Sequence, residues 1–159
     1  MTQWSPLFKR WQSECVDASS GSEDLLGDLV REGQSLLQCM SIGNLHVALN
    51  DQWNAKCKLR FLSDLSLRAR CSLLTDSSLE GERESAYRLF EAKNRDYGDA
   101  FVNYGAVGIL VRLGDKFSRL ASLWGEKRNP EVQSESVLDT LVDIHNYCIM
   151  VLMVLDKRD

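Results

Sequence analysis

Apolar residues recur at three- and four-residue intervals along nearly the whole chain, and the two prolines, Pro6 and Pro130, stand at the borders of the periodic stretches. A repeat near 3.6 residues makes helices with one apolar face, and its persistence leaves little sequence that alternates as strands do. The expected fold class is all-α, a single-domain bundle of about five to six helices. At 159 residues the chain suffices for one core and is short for two.

The pattern divides into segments. Ser5-Pro6 opens a first helix with Trp4, Phe8 and Trp11 on one side. Ser22, Glu23 and Asp24 open a second, which runs to about Ile42 with Gly27 and Gly33 as weak points. A long pattern from about Asn44 to Leu74 fits one helix or two. A further helix follows the polar turn at Thr75–Ser78 and stops at Tyr97-Gly98, and another begins near Phe101 or Ala106 and closes at Trp124-Gly125. The last is expected from Ser134, with Ser134, Glu135 and Ser136 as capping chemistry. Residues 1–75 form an N-terminal part of unassigned role, and 78–156 a helical core. Trp4, Trp11 and Trp53 are candidate packing anchors, and the tryptophan-bearing segment is also a candidate interface for a homo-oligomer.

Composition narrows the function. The net charge of −4 offers no basic footprint for duplex nucleic acid. Five cysteines without a C-x-x-C pair suggest neither a disulfide framework nor a zinc ribbon, which fits a reducing, cytoplasmic setting. The longest apolar stretch, Cys148 to Leu155, is too short for a bilayer, so no membrane is expected. P-loop, G-x-S-x-G and G-x-G-x-x-G patterns do not occur. His46 and His145 are isolated and read as surface or satisfied core residues rather than metal ligands.

The feature that asks for chemistry is an acidic ladder. Glu135, Asp139 and Asp143 stand four residues apart in the final helical run, and Asn146 continues their polar stripe. Like charges at that spacing cost an isolated helix about 0.2–0.5 kcal/mol per pair, so the ladder needs basic side chains or metal ions. Magnesium favours such oxygen ligands. On the preceding helix Arg112, Asp115, Lys116 and Arg119 also share one stripe. Two accounts fit: neighbouring helices that neutralise each other by salt bridges, or a site for phosphate oxygens and a cation. A third dense patch, Lys93, Asp96, Tyr97 and Asp99, surrounds the helix end at Gly98, where a sharp bend could let Lys93, Asp96 and Asp99 converge on one ligand.

The blocks YRLFEAKNRDYGDAF, VRLGDKFSRL and ESVLDTLVDIHNYCIM, in that order and spacing, resemble a family of phage and bacterial nucleotide-modification-associated domains over Tyr87 to Leu155. That family in turn looks like a branch of the MazG-like all-α NTP pyrophosphatases. The resemblance implies a metal-dependent nucleotide pyrophosphohydrolase that cleaves (deoxy)nucleoside triphosphates to monophosphate and pyrophosphate. Asp139 and Asp143, with Glu135, would bind magnesium or manganese. Asp115 or Glu135 would act as general base. Lys93, Asp96, Tyr97, Arg112, Lys116, Arg119, Asn146 and Tyr147 would hold the substrate. MazG-like enzymes usually carry E-x-x-E and E-x-x-D pairs, whereas this chain has Asp139-x-x-x-Asp143, with Glu80, Glu84 and Glu91 as candidate replacements. That departure motivates the alternative of a catalytically silent helical module that binds a nucleotide or a protein partner.

Overall fold

In the computed structural model, which describes residues 2–14, 24–39, 52–126 and 136–157, six α-helices follow one another with no strand among the described residues. They are α1 (Ser5–Ser13), α2 (Leu25–Cys39), α3 (Gln52–Leu73), α4 (Leu79–Tyr97), α5 (Gly105–Glu126) and α6 (Val137–Asp156), with a single 3-10 turn at Ala100–Val102. The all-α expectation is met. The boundaries moved where capping chemistry overrides apolar periodicity.

Each start and stop has a local cause. Pro6 occupies the first turn of α1, where its missing N–H is no loss. The Asp24 side chain accepts from Gly27 N at 2.9 Å, so Asp24 itself closes the start of α2, and the expected opener Ser22 lies outside the described residues. Ser78 Oγ accepts from Gly81 N at 3.0 Å, and Glu80 and Glu82 complete the acidic first turn of α4. At the other end Gly98 takes a left-handed φ of 56°, and the chain leaves α4 through Asp99 at φ 60°. The last helix begins at Val137, not at Ser134, because Ser136 and Asp139 cap each other's backbone reciprocally. Gly125 does not end α5, which runs on to Glu126.

Helix α6 is the axis of the bundle and packs most extensively on α3 and α5, with α1 and α4 against its remaining sides. From Thr140 to Leu155 every side chain is buried except Asp143, Tyr147 and Met150. Those three fall at i, i+4 and i+7 and so mark one stripe. By length and composition α6 would also cross a membrane, but here its apolar faces are covered by other helices, as a core helix requires.

Helix α1 closes the opposite side of this core. Phe8 stacks on Phe90 with ring centroids 4.4 Å apart, and Trp4 meets Phe101 edge-on at 5.1 Å. Trp4 and Trp11 are therefore buried within the chain, as packing anchors are. The Trp53 side chain lies outside the described residues.

The interior also contains a polar layer between α3 and α6. The His145 imidazole meets Ser63 Oγ at 2.8 Å through Nδ1 and Gln12 Nε2 at 3.0 Å through Nε2. Burial pushes its pKa down to about 4, so the ring sits neutral inside the bundle. It is a satisfied core residue, as expected, and His46 lies outside the described residues. Beside it the fully buried Asp64 carboxylate accepts from Arg68 Nε at 2.6 Å and Arg83 at 2.9 Å, which removes the penalty of an isolated interior charge.

Candidate functional site

The stripe left open on α6 forms one wall of a cleft of about 240 Å³. Asp143, Asn146, Tyr147 and Met150 come from α6, Phe90, Lys93, Asn94 and Tyr97 from the last two turns of α4, and Arg112 from α5. Ala100 and Phe101 of the 3-10 turn complete it. The geometry follows from the left-handed pair Gly98-Asp99, which turns the chain sharply enough for the residues on either side to line one hollow. Asn94 Nδ2 donates to Asp99 Oδ1 at 2.6 Å and Gln3 Nε2 to its other oxygen at 2.6 Å, which pins this turn. Those hydrogen bonds, led by the one from Asn94, hold the Asp99 pKa below the ordinary carboxylate value.

The cleft has an apolar interior and a charged mouth. Phe90, Phe101, Ala100 and Met150 supply the first. At the second, Asp143 Oδ1 lies 3.0 Å from Lys93 Nζ and its Oδ2 lies 2.9 Å from Lys116 Nζ, so one carboxylate bridges two lysines on different helices. Arg112 lines the same mouth, is exposed, and has no hydrogen-bond or ion-pair partner among the described residues. Two lysines thus hold the one carboxylate, and Arg112 adds a third cation to the lining. Deeper in, Asn146 is 6% exposed; its Nδ2 donates to the Ala86 carbonyl at 3.0 Å, while its Oδ1 has no partner among the described residues.

The residues expected from the sequence separate into two groups. Lys93, Tyr97, Arg112, Asp143, Asn146 and Tyr147 all line the cleft, and Lys116 reaches it through Asp143. Asp96 and Asp115 are exposed and line no part of it, and Arg119 does not line it either. Asp96 and Asp99 do not converge with Lys93 on one ligand, because Asp99 is turned to Asn94 and Gln3. Asp139 is at the N-terminus of α6, where its Oδ2 accepts from Ser136 N at 3.1 Å and from Ser136 Oγ at 2.7 Å. The Ser136 hydroxyl is the main cause of its lowered pKa. Glu135 lies outside the described residues.

The candidate replacement carboxylates are engaged elsewhere. Glu91 accepts from the Ser5 hydroxyl at 2.5 Å, which holds its pKa down, and Glu84 pairs with Lys9 and Arg88. Glu80 lies 3.9 Å from Arg83 on the exposed side of α4. Among the described residues no three His, Cys, Asp or Glu side chains gather closely enough to hold a metal ion. Of the ladder, Asp139 is engaged by Ser136 and Asp143 by two lysines, and Glu135 lies outside the described residues.

Sequence reading missed the apolar wall. Phe90 and Met150 lie on helices at the spacing of core residues, and only the packing brings them with Phe101 to one hollow. The destination of Asp139 had a usable signal, since Ser136-Val-Leu-Asp139 is a capping-box pattern.

Comparison with curated proteins and with solved structures finds no match. The stretch that holds Lys93, Arg112, Asp143, Asn146 and Tyr147, residues 93–155, matches the family model described as Nucleotide modification associated domain 1.

Proposed function

We infer that the cleft binds a nucleotide, with the phosphate at Lys93 and Arg112 and the base against Phe90, Phe101 and Met150. The observation that carries this reading is Arg112, a guanidinium without a partner among the described residues at the mouth of an apolar hollow. Guanidinium groups bind phosphate oxygens through paired N–H donors, and aromatic walls bind flat rings. A polyphosphate would also compete with Asp143 for Lys93 and Lys116. The family match over residues 93–155 supports a nucleotide as the ligand class.

Binding is the reading that the side chains support best. Pyrophosphohydrolysis, the cleavage of a nucleoside triphosphate with magnesium, is its extension. One carboxylate, Asp143, lines the cleft, and both of its oxygens are on lysines. Magnesium often uses one or two carboxylates together with substrate phosphates, so this extension needs Asp143 to exchange its lysines for the ion.

The test is equilibrium binding of deoxynucleoside mono- and triphosphates, with chromatography of the products after incubation with magnesium. Arg112→Ala should weaken binding about tenfold or more, the usual size for a charge-assisted hydrogen bond. Binding without product supports the silent module. Pyrophosphate release that disappears in Asp143→Ala supports the enzyme. Absence of binding by every nucleotide would remove the proposal.

A further inference from the structure

Phe101, part of the apolar wall of the cleft, stands on a short piece of backbone with little support of its own. It belongs to a 3-10 turn, Ala100–Val102, and such turns have poorer hydrogen-bond geometry than an α-helix. The chain enters that turn through two successive left-handed residues. The second, Asp99 at φ 60°, is the one non-glycine residue with positive φ among those described. That conformation costs free energy in a residue with a Cβ, and it persists where the surroundings hold it.

The support comes from distant parts of the chain. Gln3 Nε2 donates to Asp99 Oδ2 at 2.6 Å across 96 positions of sequence. The Trp4 ring, 5% exposed, meets Phe101 edge-on with centroids 5.1 Å apart. Lys157, just past α6, places Nζ 3.7 Å from the centroid of the same Trp4 ring, a cation–π contact. Gln3, Trp4 and Lys157 line no part of the cleft, and all three lie outside the matched residues 93–155. The cations of the cleft are independent of them, since Lys93 is on Asp143 and Arg112 has no partner among the described residues.

We propose that Gln3 and Trp4 are positioning residues for the cleft. With Asp99 and Lys157 they form a latch that holds Phe101 in place, so the segment leading into α1 sets how tightly the base is gripped. This rests on the nucleotide-binding reading above. The latch acts on the apolar wall and leaves the phosphate at Lys93 and Arg112 alone. By linkage, a base held against Phe101 steadies the latch in return.

Gln3→Ala, Trp4→Leu and Asp99→Gly in the full chain test it, with folding checked by circular dichroism. Glycine takes the left-handed conformation freely, so Asp99→Gly removes the hydrogen bonds without adding strain. Without ligand, amide exchange at Val102 and Asn103, whose N–H groups close the turn on Asp99 and Ala100, should quicken about threefold or more, while the amides of α6 keep their rates. Deoxynucleoside monophosphates should bind about threefold or more weakly, whereas deoxyribose 5-phosphate, which has no base, should bind as before. Trp4→Phe, which keeps an aromatic edge against Phe101, should retain the wild-type affinity. Gln3→Ala decides the matter even if Trp4→Leu does not fold. Unchanged exchange at the turn, or an equal loss of affinity for both kinds of ligand, overturns the latch and leaves nucleotide binding standing. A wild-type chain that binds no nucleotide overturns the nucleotide reading and the positioning role with it.

Discussion

Lys93 Nζ lies 3.0 Å from Asp143 Oδ1, and this contact joins the last turns of α4 to the second turn of α6 at the mouth of the cleft. Lys93 is half exposed, and exposed ion pairs contribute about 0–1 kcal/mol, so the pair matters more for the charge it presents than for stability.

Asp143→Asn is expected to change stability by less than about 1 kcal/mol. It frees two lysines, so affinity for a nucleoside monophosphate should rise severalfold at low ionic strength, and the gain should shrink as salt screens it. Titrations at low and high salt measure this. A fall in affinity instead would mean that the carboxylate contacts the ligand directly.

Asp139→Ala should cost about 1 kcal/mol of stability through loss of the α6 cap and leave nucleotide affinity unchanged. Thermal unfolding and a binding titration on the same sample separate the two. Loss of binding in a folded variant would return Asp139 to the site.

His145 makes stability depend on pH in a particular window. In the fold its pKa is pushed from 6.5 to about 4, so between those values the unfolded chain binds more protons than the native one. Its contribution is complete above pH 6.5 and is lost as pH falls towards 4, with a slope of up to about 1.4 kcal/mol per pH unit. The carboxylates of Glu91, Asp99 and Asp139, whose pKa values are lowered from 4.5, 3.8 and 3.8, add their own loss at the acid end of that window and below it. Urea unfolding at about pH 7.5 and about pH 5 should show the loss, and His145→Gln, although less stable, should flatten it. A wild-type profile that is flat from pH 7.5 to 5 would contradict a buried neutral ring.

Gly33→Ala should destabilise the bundle by about 1–3 kcal/mol. A Cβ there would stand 2.2 Å from Cδ1 of Phe117, a ring buried on α5. Chemical denaturation measures the change. An unchanged midpoint would mean that α2 and α5 can separate freely. Gly33 thus reads as a weak helix former in isolation, yet it is the point where α2 approaches α5.

Much of the site was legible because its polar residues sit at helical spacings that survive into three dimensions. Lys93 and Tyr97 are one turn apart on α4, and Asp143, Asn146 and Tyr147 span one turn of α6, so each set shares a face whatever the bundle does. The turn at Gly98 was equally visible, since a glycine after a periodic run marks a left-handed helix end.

Residue order alone determined the helical class, most helix ends and the stripes on which charges fall, because these depend on neighbours within four positions. Which stripe faces which was decided by packing. Glu135, Asp139 and Asp143 look equivalent on a helical wheel, but the start of α6 at Val137 assigns Asp139 to its own N-terminus, and contact with α4 and α5 assigns Asp143 to two lysines. Likewise the Asn146 amide takes its orientation from the Ala86 carbonyl, sixty positions earlier. Helical periodicity is a local property, whereas the pairing of faces and the satisfaction of buried polar groups belong to the assembled core.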